Sequence, residues 1–332
     1  MDMHTSTSYT LVATMEVVRY LDDGPVEPGE YVTLMSVLKT AKSSTKSSLD
    51  FSQQLFRGMT NQLRLLPDFL IIGGQRCGTS SLYYYLTEHP GILPAFTKEP
   101  HFFDEYFAKG PAWYRTQFPT ALQRGFGKSV FGKEMLTGEG TPYYIVYPHA
   151  PRRAFELVPQ AKLIALLRNP VDRAFSQYWI EKQAGFETWS FEDAIEGEQE
   201  RLAGELERML HDENYYSHSF RHFSYLTRGI YVDQLQNWLR TYPREQMLIL
   251  RSEDLYSDPA AVVQQAFAFL GMSTGKHATE FKNYRRPSKK GYRNKVIPPK
   301  LDPALRNYLV EFFRPHNARL YDFLGVAFDW DR

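Results

Sequence analysis

The sequence predicts an α/β fold, a central parallel sheet with a phosphate-binding loop after its first strand and helices on both faces. Three observations predict it. A short apolar run, Phe69 to Ile72, leads into a loop with the spacing Gly73-x-x-x-x-Gly78. A second apolar run, Ala161 to Leu167, ends in Arg168-Asn169-Pro170, and proline fits the first turn of a following helix. From residue 67 onward, strand-length apolar runs alternate with segments of helical period, which implies parallel strands joined by crossovers.

Residues 1–66 precede the first strand and form an extension of unknown role. Its tract from Lys39 to Ser48 is rich in serine and lysine and reads as a linker. Residues 67–332 form the main domain. After Phe69 to Ile72, the residues Gln75, Arg76, Cys77, Gly78, Thr79, Ser80 and Ser81 make the loop and open a helix, with Leu82, Tyr85 and Leu86 at helical spacing. Unpaired N–H groups and the helix dipole favour an anion at such a helix start. A plain strand–turn–helix connection without a ligand is the competing reading of the loop taken alone.

This is not a nucleoside-triphosphate loop. Thr79 stands where the lysine would follow the second glycine, and the basic side chain lies inside the loop at Arg76. Such a loop also needs a strand-ending aspartate for magnesium, and the strand through Leu167 ends in Arg168. The two segments suit a nucleotide with two separated anionic groups and no metal. Ser176 lies about two turns into the helix after Pro170 and can face back toward Arg168, so the two would grip one phosphate. The alternative for Arg168 is a surface pair with Asp172.

Residues 187–226 read as a helical insertion, acidic from Glu187 to Glu207, then aromatic and histidine-rich. They either shape an acceptor cleft or form solvated helices packed on the core. Met247 to Leu250 is a further strand, and Asp258-Pro259 opens a helix toward Leu270-Gly271. Lys282 to Lys300 is strongly basic; such a run is ordinarily a solvated face.

Composition sets bounds. The chain has 332 residues and a formal net charge of +1, so no basic field argues for nucleic acid. The single cysteine, Cys77, excludes an intrachain disulfide and leaves a thiolate metal site unsupported. It reads as a small residue filling a tight turn. No apolar run reaches membrane-spanning length, and the N-terminus lacks a basic start followed by an apolar stretch. The expectation is a soluble, cytoplasmic protein.

Gln75-Arg76-Cys77-Gly78-Thr79-Ser80-Ser81 and Arg168 through Ser176 resemble the two cofactor motifs of sulfotransferases that use 3′-phosphoadenosine 5′-phosphosulfate. Within that family the chain is similar to the heparan-sulfate-like and bacterial branch. Four further stretches carry the likeness in order: Lys98-Glu99-Pro100-His101-Phe102-Phe103, Gly140-Thr141-Pro142-Tyr143, Arg228-Gly229-Ile230-Tyr231, and Pro315-His316-Asn317-Ala318-Arg319-Leu320-Tyr321. The resemblance implies a sulfotransferase acting on a hydroxyl or amine of a glycan, lipid or other small acceptor. It implies Glu99 as base, against the competing reading of a surface pair with Lys98; His101 as the second choice of base, or orienting the acceptor or Glu99; and Arg76 stabilising the leaving phosphate. It also implies Tyr231 near the adenine, and Lys290, Gly291 and Arg293 in a basic loop folded over the cofactor. Two departures stand out: many relatives carry Lys at the position of Arg76 and a basic residue at that of Gly140. A nucleotide kinase lacks its lysine and aspartate here, and a non-catalytic nucleotide-binding module leaves Glu99 without a purpose.

Overall fold

In the computed structural model of the chain, the described residues are 52–132, 134–272 and 300–331. The chain divides into two compact units, Met1–Thr60 and Asn61–Arg332. Of the first, residues 52–59 are a helix. The second holds five strands: β1 (Phe69–Gly73), β2 (Ile92–Pro94), β3 (Leu136–Glu139), β4 (Lys162–Leu167) and β5 (Met247–Arg251). The helices that matter for the site are α1 (Thr79–Thr87), α2 (Ala150–Leu157), α3 (Pro170–Ala184), α4 (His218–Phe223), α5 (Tyr231–Leu239), α6 (Ser252–Ser257), α7 (Pro259–Leu270) and α8 (Pro303–Leu324).

The strands form one all-parallel sheet in the order β2-β3-β1-β4-β5. All five residues of β1 are buried, so it is covered on both faces. Its alternation sorts two cores. Leu70 and Ile72, with Leu163, Ala165 and Leu167 of β4, face a cluster that includes Ala150 and Ala154 of α2 and Val232, Leu235 and Trp238 of α5. Phe69 and Ile71, with Ile164 and Leu166, face Leu82 and Leu86 of α1 and Val262, Val263 and Phe267 of α7. The predicted α/β sheet with helices on both faces is therefore what the chain forms. No helix among the described residues is long and apolar enough to cross a membrane.

Parallel strands place all their C-terminal ends along one edge. The connections leaving β1, β2, β3 and β4 there carry the motifs noted in the sequence. β1 is central, with β3 on one side and β4 on the other, and such a reversal of strand order opens a crevice. α3 starts as its proline predicts: the Asn169 side chain accepts from the N–H groups of Val171 and Asp172 at 3.0 and 3.3 Å. Residues 187–226 fold into short helices ending in α4. A third cluster joins Val171, Ala174 and Tyr178 of α3 to Phe191, Ile195 and Tyr225 of this stretch and to Leu309, Val310 and Phe313 of α8. Residues 61–66, ahead of the first strand, pack with the sheet unit: the Leu65 N–H donates to the Pro119 carbonyl at 2.9 Å.

Candidate active site

The loop after β1 is shaped by close approaches. A Cβ on Gly73 would collide with the Ile145 side chain, and Gly78, at φ 89°, occupies the left-handed region that glycine enters without strain. Arg76 also has a left-handed φ of 68°, a conformation costing a non-glycine residue about 1 kcal/mol or more. α1 begins at Thr79 with Gly78 as its N-cap and no side chain capping it. Its first N–H groups and its dipole are left for an anion, so the loop fits a phosphate-like group.

The second segment meets the first through Arg76. Its Nε donates to Ser176 Oγ at 3.1 Å, and Arg168 Nη1 donates to the Arg76 carbonyl at 3.3 Å. Asp172 is instead paired with Arg306 of α8, so the surface Arg168–Asp172 pair is not formed. Two sequence segments 92 residues apart thus make one basic surface at the sheet edge.

Beneath it stands Tyr231, 2% exposed. Its hydroxyl donates to the Arg168 carbonyl at 2.9 Å and lies 3.9 Å from Cys77 Sγ. Its hydroxyl supports both segments from below. Cys77 is fully buried, and burial pushes its thiol up to about 11. Its carbonyl accepts from Ser252 Oγ of α6 at 2.7 Å. Such a thiol stays protonated and fills the turn.

The C-terminal motif acts from behind. Asn317 Nδ2 donates to Asp331 at 2.9 Å, and the Trp330 N–H donates to Tyr321 Oη at 3.1 Å. These bonds hold Trp330 against Tyr231, ring centroids 5.9 Å apart.

The segment from Lys98 to Glu105 follows β2. Phe102 and Phe103 are fully buried against Tyr114, with centroids 4.3 and 5.1 Å away. Their N–H groups donate to Tyr144 Oη at 2.8 and 3.3 Å. With those anchors set, Glu99 and His101 are held on the other side of the segment. His101 Nδ1 lies 2.7 Å from Asp104 Oδ2, and its Nε2 lies 3.9 Å from Glu99 Oε2. Glu99 Oε1 is ion-paired with Lys98. Burial draws the His101 pKa down, but the hydrogen bond and charge of Asp104 outweigh it, and the net shift is upward. The Glu99 carboxylate, 38% exposed, thus keeps contact with solvent between a lysine and an imidazole.

Three functional candidates went unassigned in the sequence. Glu139 ends β3 fully buried, accepts from Tyr114 Oη at 3.0 Å and Thr141 Oγ1 at 2.7 Å, and is pushed up to about 7 by burial. Its signal was a carboxylate closing a strand just before Thr141-Pro142. Arg228, 4% exposed, donates to Gln75 Oε1 and to the carbonyls of Phe220 and Arg221, the latter two at 2.7 Å. Arg221 of α4 sits 2.9 Å from Glu105 and 3.6 Å from Asp104. Arg228 lay in a motif already noted; Arg221 had no local signal. The side-chain nitrogen and oxygen atoms of His101, Asp104 and Glu105 gather within 4.8 Å of one another, and the Arg221 guanidinium faces the two carboxylates. Lys290, Gly291 and Arg293 lie outside the described residues.

Comparison with known proteins agrees with this geometry. The family model described as "Sulfotransferase domain" matches residues 66–294. Human "Heparan sulfate glucosamine 3-O-sulfotransferase 6" is 32% identical over 291 residues, covering 80% of this chain and 74% of that protein. The Dictyostelium discoideum "Membrane-associated sulfotransferase kil1" is 29% identical over 336 residues, covering 81% of this chain and 67% of its own length. A solved sulfotransferase from Alicyclobacillus acidocaldarius is 31% identical, with a TM-score of 0.55 over 81% of this chain and all of that one. The motifs in order, the parallel sheet and the loop-to-α3 contact have one common reading: the chain belongs to the sulfotransferase family and is a sulfotransferase dependent on 3′-phosphoadenosine 5′-phosphosulfate.

Proposed function

We propose that the enzyme moves the sulfuryl group to a hydroxyl of a glycan, with no metal. The observation that carries the donor half is the contact of Arg76 with Ser176, beside Arg168. It joins two basic segments, each suited to an anion, into one surface. The 5′-phosphosulfate falls to residues 75–81 and the 3′-phosphate to Arg168 and Ser176. The donor supplies an electrophilic sulfur on a phosphate leaving group. Glu99 takes the proton of the attacking hydroxyl as the new O–S bond forms. The N–H groups opening α1 and the Arg76 guanidinium receive the charge left on the phosphate oxygen as the S–O bond breaks. His101, held by Asp104, directs its Nε2 toward Glu99 and orients it. The glycan acceptor is supported by the heparan sulfate sulfotransferases among the relatives.

The test is transfer of labelled sulfate from the donor, with chelator present, to a panel of glucosamine-containing glycans, a lipid and an acyl chain. The expected result is label on a glycan hydroxyl, with one nucleotide product per sulfate moved. Strict magnesium dependence or a preference for ATP would overturn the donor assignment. Transfer confined to the lipid or acyl acceptor would overturn the glycan.

A further inference from the structure

We propose that Arg228 and Arg221 are positioning residues that couple occupancy of the donor loop to the placement of the acceptor base. The proposal rests on the assignment of residues 75–81 to the donor and of Glu99 and His101 to the acceptor side.

The contacts form a continuous strut. At one end Arg228 Nη1 holds Gln75 Oε1 of the donor loop. Its Nη2 donates at 2.7 Å to the carbonyls of Phe220 and Arg221, so the same guanidinium fixes the end of α4. The Arg221 side chain then reaches Glu105 at 2.9 Å and Asp104 at 3.6 Å. Asp104 holds His101 at 2.7 Å, and His101 faces Glu99 at 3.9 Å. The Tyr143 ring lies under both arginines, 4.3 Å from Arg221 and 4.8 Å from Arg228. Four connections are involved: the loop after β1, the base segment after β2, the Tyr143 turn after β3, and α4.

Charge explains why such a strut responds to the donor. The hydrogen-bond acceptors of Arg228 are an amide oxygen and two carbonyls, all neutral. Burial draws its pKa down to about 10; the charges of Arg221 and Arg173 act in the same direction, and Tyr143 and Glu181 oppose them without restoring it. A buried cation on neutral partners, aimed at the phosphosulfate loop, gains its counter-charge when an anionic donor arrives. The forked guanidinium is what allows one side chain to hold the loop and α4 together; lysine keeps the charge without the fork.

The experiment is NMR titration of the His101 imidazole, with and without 3′-phosphoadenosine 5′-phosphate, in wild type, Arg228→Lys and Arg221→Met. Asp104, Glu99 and Glu105 and the Arg221 guanidinium face His101. Arg221 lowers the His101 pKa, so Arg221→Met should raise the midpoint in the nucleotide-free protein. In wild type the nucleotide should move the midpoint by about half a unit. In both variants that response should fall by half or more, with nucleotide affinity changed less than about threefold. Each variant should lower kcat about tenfold, and the double variant should be no worse than the poorer single one. An identical nucleotide response in all three proteins, or additive losses in the double variant, would overturn the strut. Should Arg228→Lys fail to fold, the more exposed Arg221→Met carries the test. The histidine readout does not depend on Glu99 being the base, so near-normal kcat in Glu99→Gln would sink that assignment while leaving the coupling measurable.

Discussion

The donor loop and the base segment leave the same edge of the sheet, yet they are built differently. The loop from Gly73 to Gly78 presents backbone: a tight turn between a buried strand and an uncapped helix start, with Arg76 and Arg168 added at its rim. The base segment from Lys98 to Glu105 presents side chains held by other side chains. Its anchors come from Tyr114 and Tyr144, and Arg221 comes from α4, more than a hundred residues along the chain. A backbone-built half tolerates side-chain change and should lose affinity when its cations go. A side-chain-built half should lose rate while affinity stands.

The largest effect expected from that contrast is on rate. Glu99→Gln keeps shape and removes the proposed base, so kcat should fall by about 10² or more. Nucleotide affinity by calorimetry should hardly change. A loss of affinity equal to the loss of rate would erase the distinction between the two halves.

Glu139 sharpens the contrast, because it lies behind the base half, bonded to the Tyr114 that Phe102 and Phe103 pack on. Its folded pKa of about 7 lies above the ordinary carboxylate value of 4.5. A raised carboxylate pKa favours the fold while the group is protonated. That contribution is complete below about pH 4.5 and is lost as pH rises through 7. Glu139→Gln should lack this decline. By pH 8 the wild type should have lost on the order of 3 kcal/mol relative to the variant. Urea midpoints at pH 5.5 and pH 8 read about 2 kcal/mol of it, and a gap that does not widen with pH would show that Glu139 is already ionised in the fold.

On the donor half, Arg168→Ala and Ser176→Ala should weaken the nucleotide bearing a 3′-phosphate by roughly 1.5–3 kcal/mol each, at the charge-assisted end of the range for Arg168. The nucleotide lacking that phosphate should lose far less. Equal losses for both nucleotides, measured by calorimetry, would move the 3′-phosphate away from these side chains.

The smallest effect concerns Cys77. Its buried, protonated thiol has a packing role, so Cys77→Ala should cost about 1 kcal/mol of stability and leave transfer close to wild type. A covalent adduct on Cys77 during turnover, seen by mass spectrometry, would overturn that role.

Much of this was legible along the chain. Gly73 and Gly78 announced the turn, Pro170 the start of α3, and the runs at Phe69 and Ala161 two neighbouring strands. Arg168, at the end of one of those strands, was legible as a cation standing where a triphosphate site would carry an aspartate. Each is a rule of local spacing, acting within a strand, a turn or one helical turn. The wider Lys98 to Phe103 motif was legible only through resemblance, since the spacing of a carboxylate and a histidine does not say which one faces the acceptor.

The sequence by itself determined the parallel sheet, the turn between Gly73 and Gly78 and the start of α3, because strand period, glycine conformation and helix starts depend on a handful of adjacent residues. The tertiary structure alone decided that Tyr231 lies buried beneath the loop, that Asp172 pairs with Arg306, and that Glu139 is dry enough to titrate near neutrality. It alone joined Arg228 to Gln75 across 153 residues. Burial and long-range charge contacts depend on which surfaces meet after the chain has crossed the sheet several times, and no local period records that meeting.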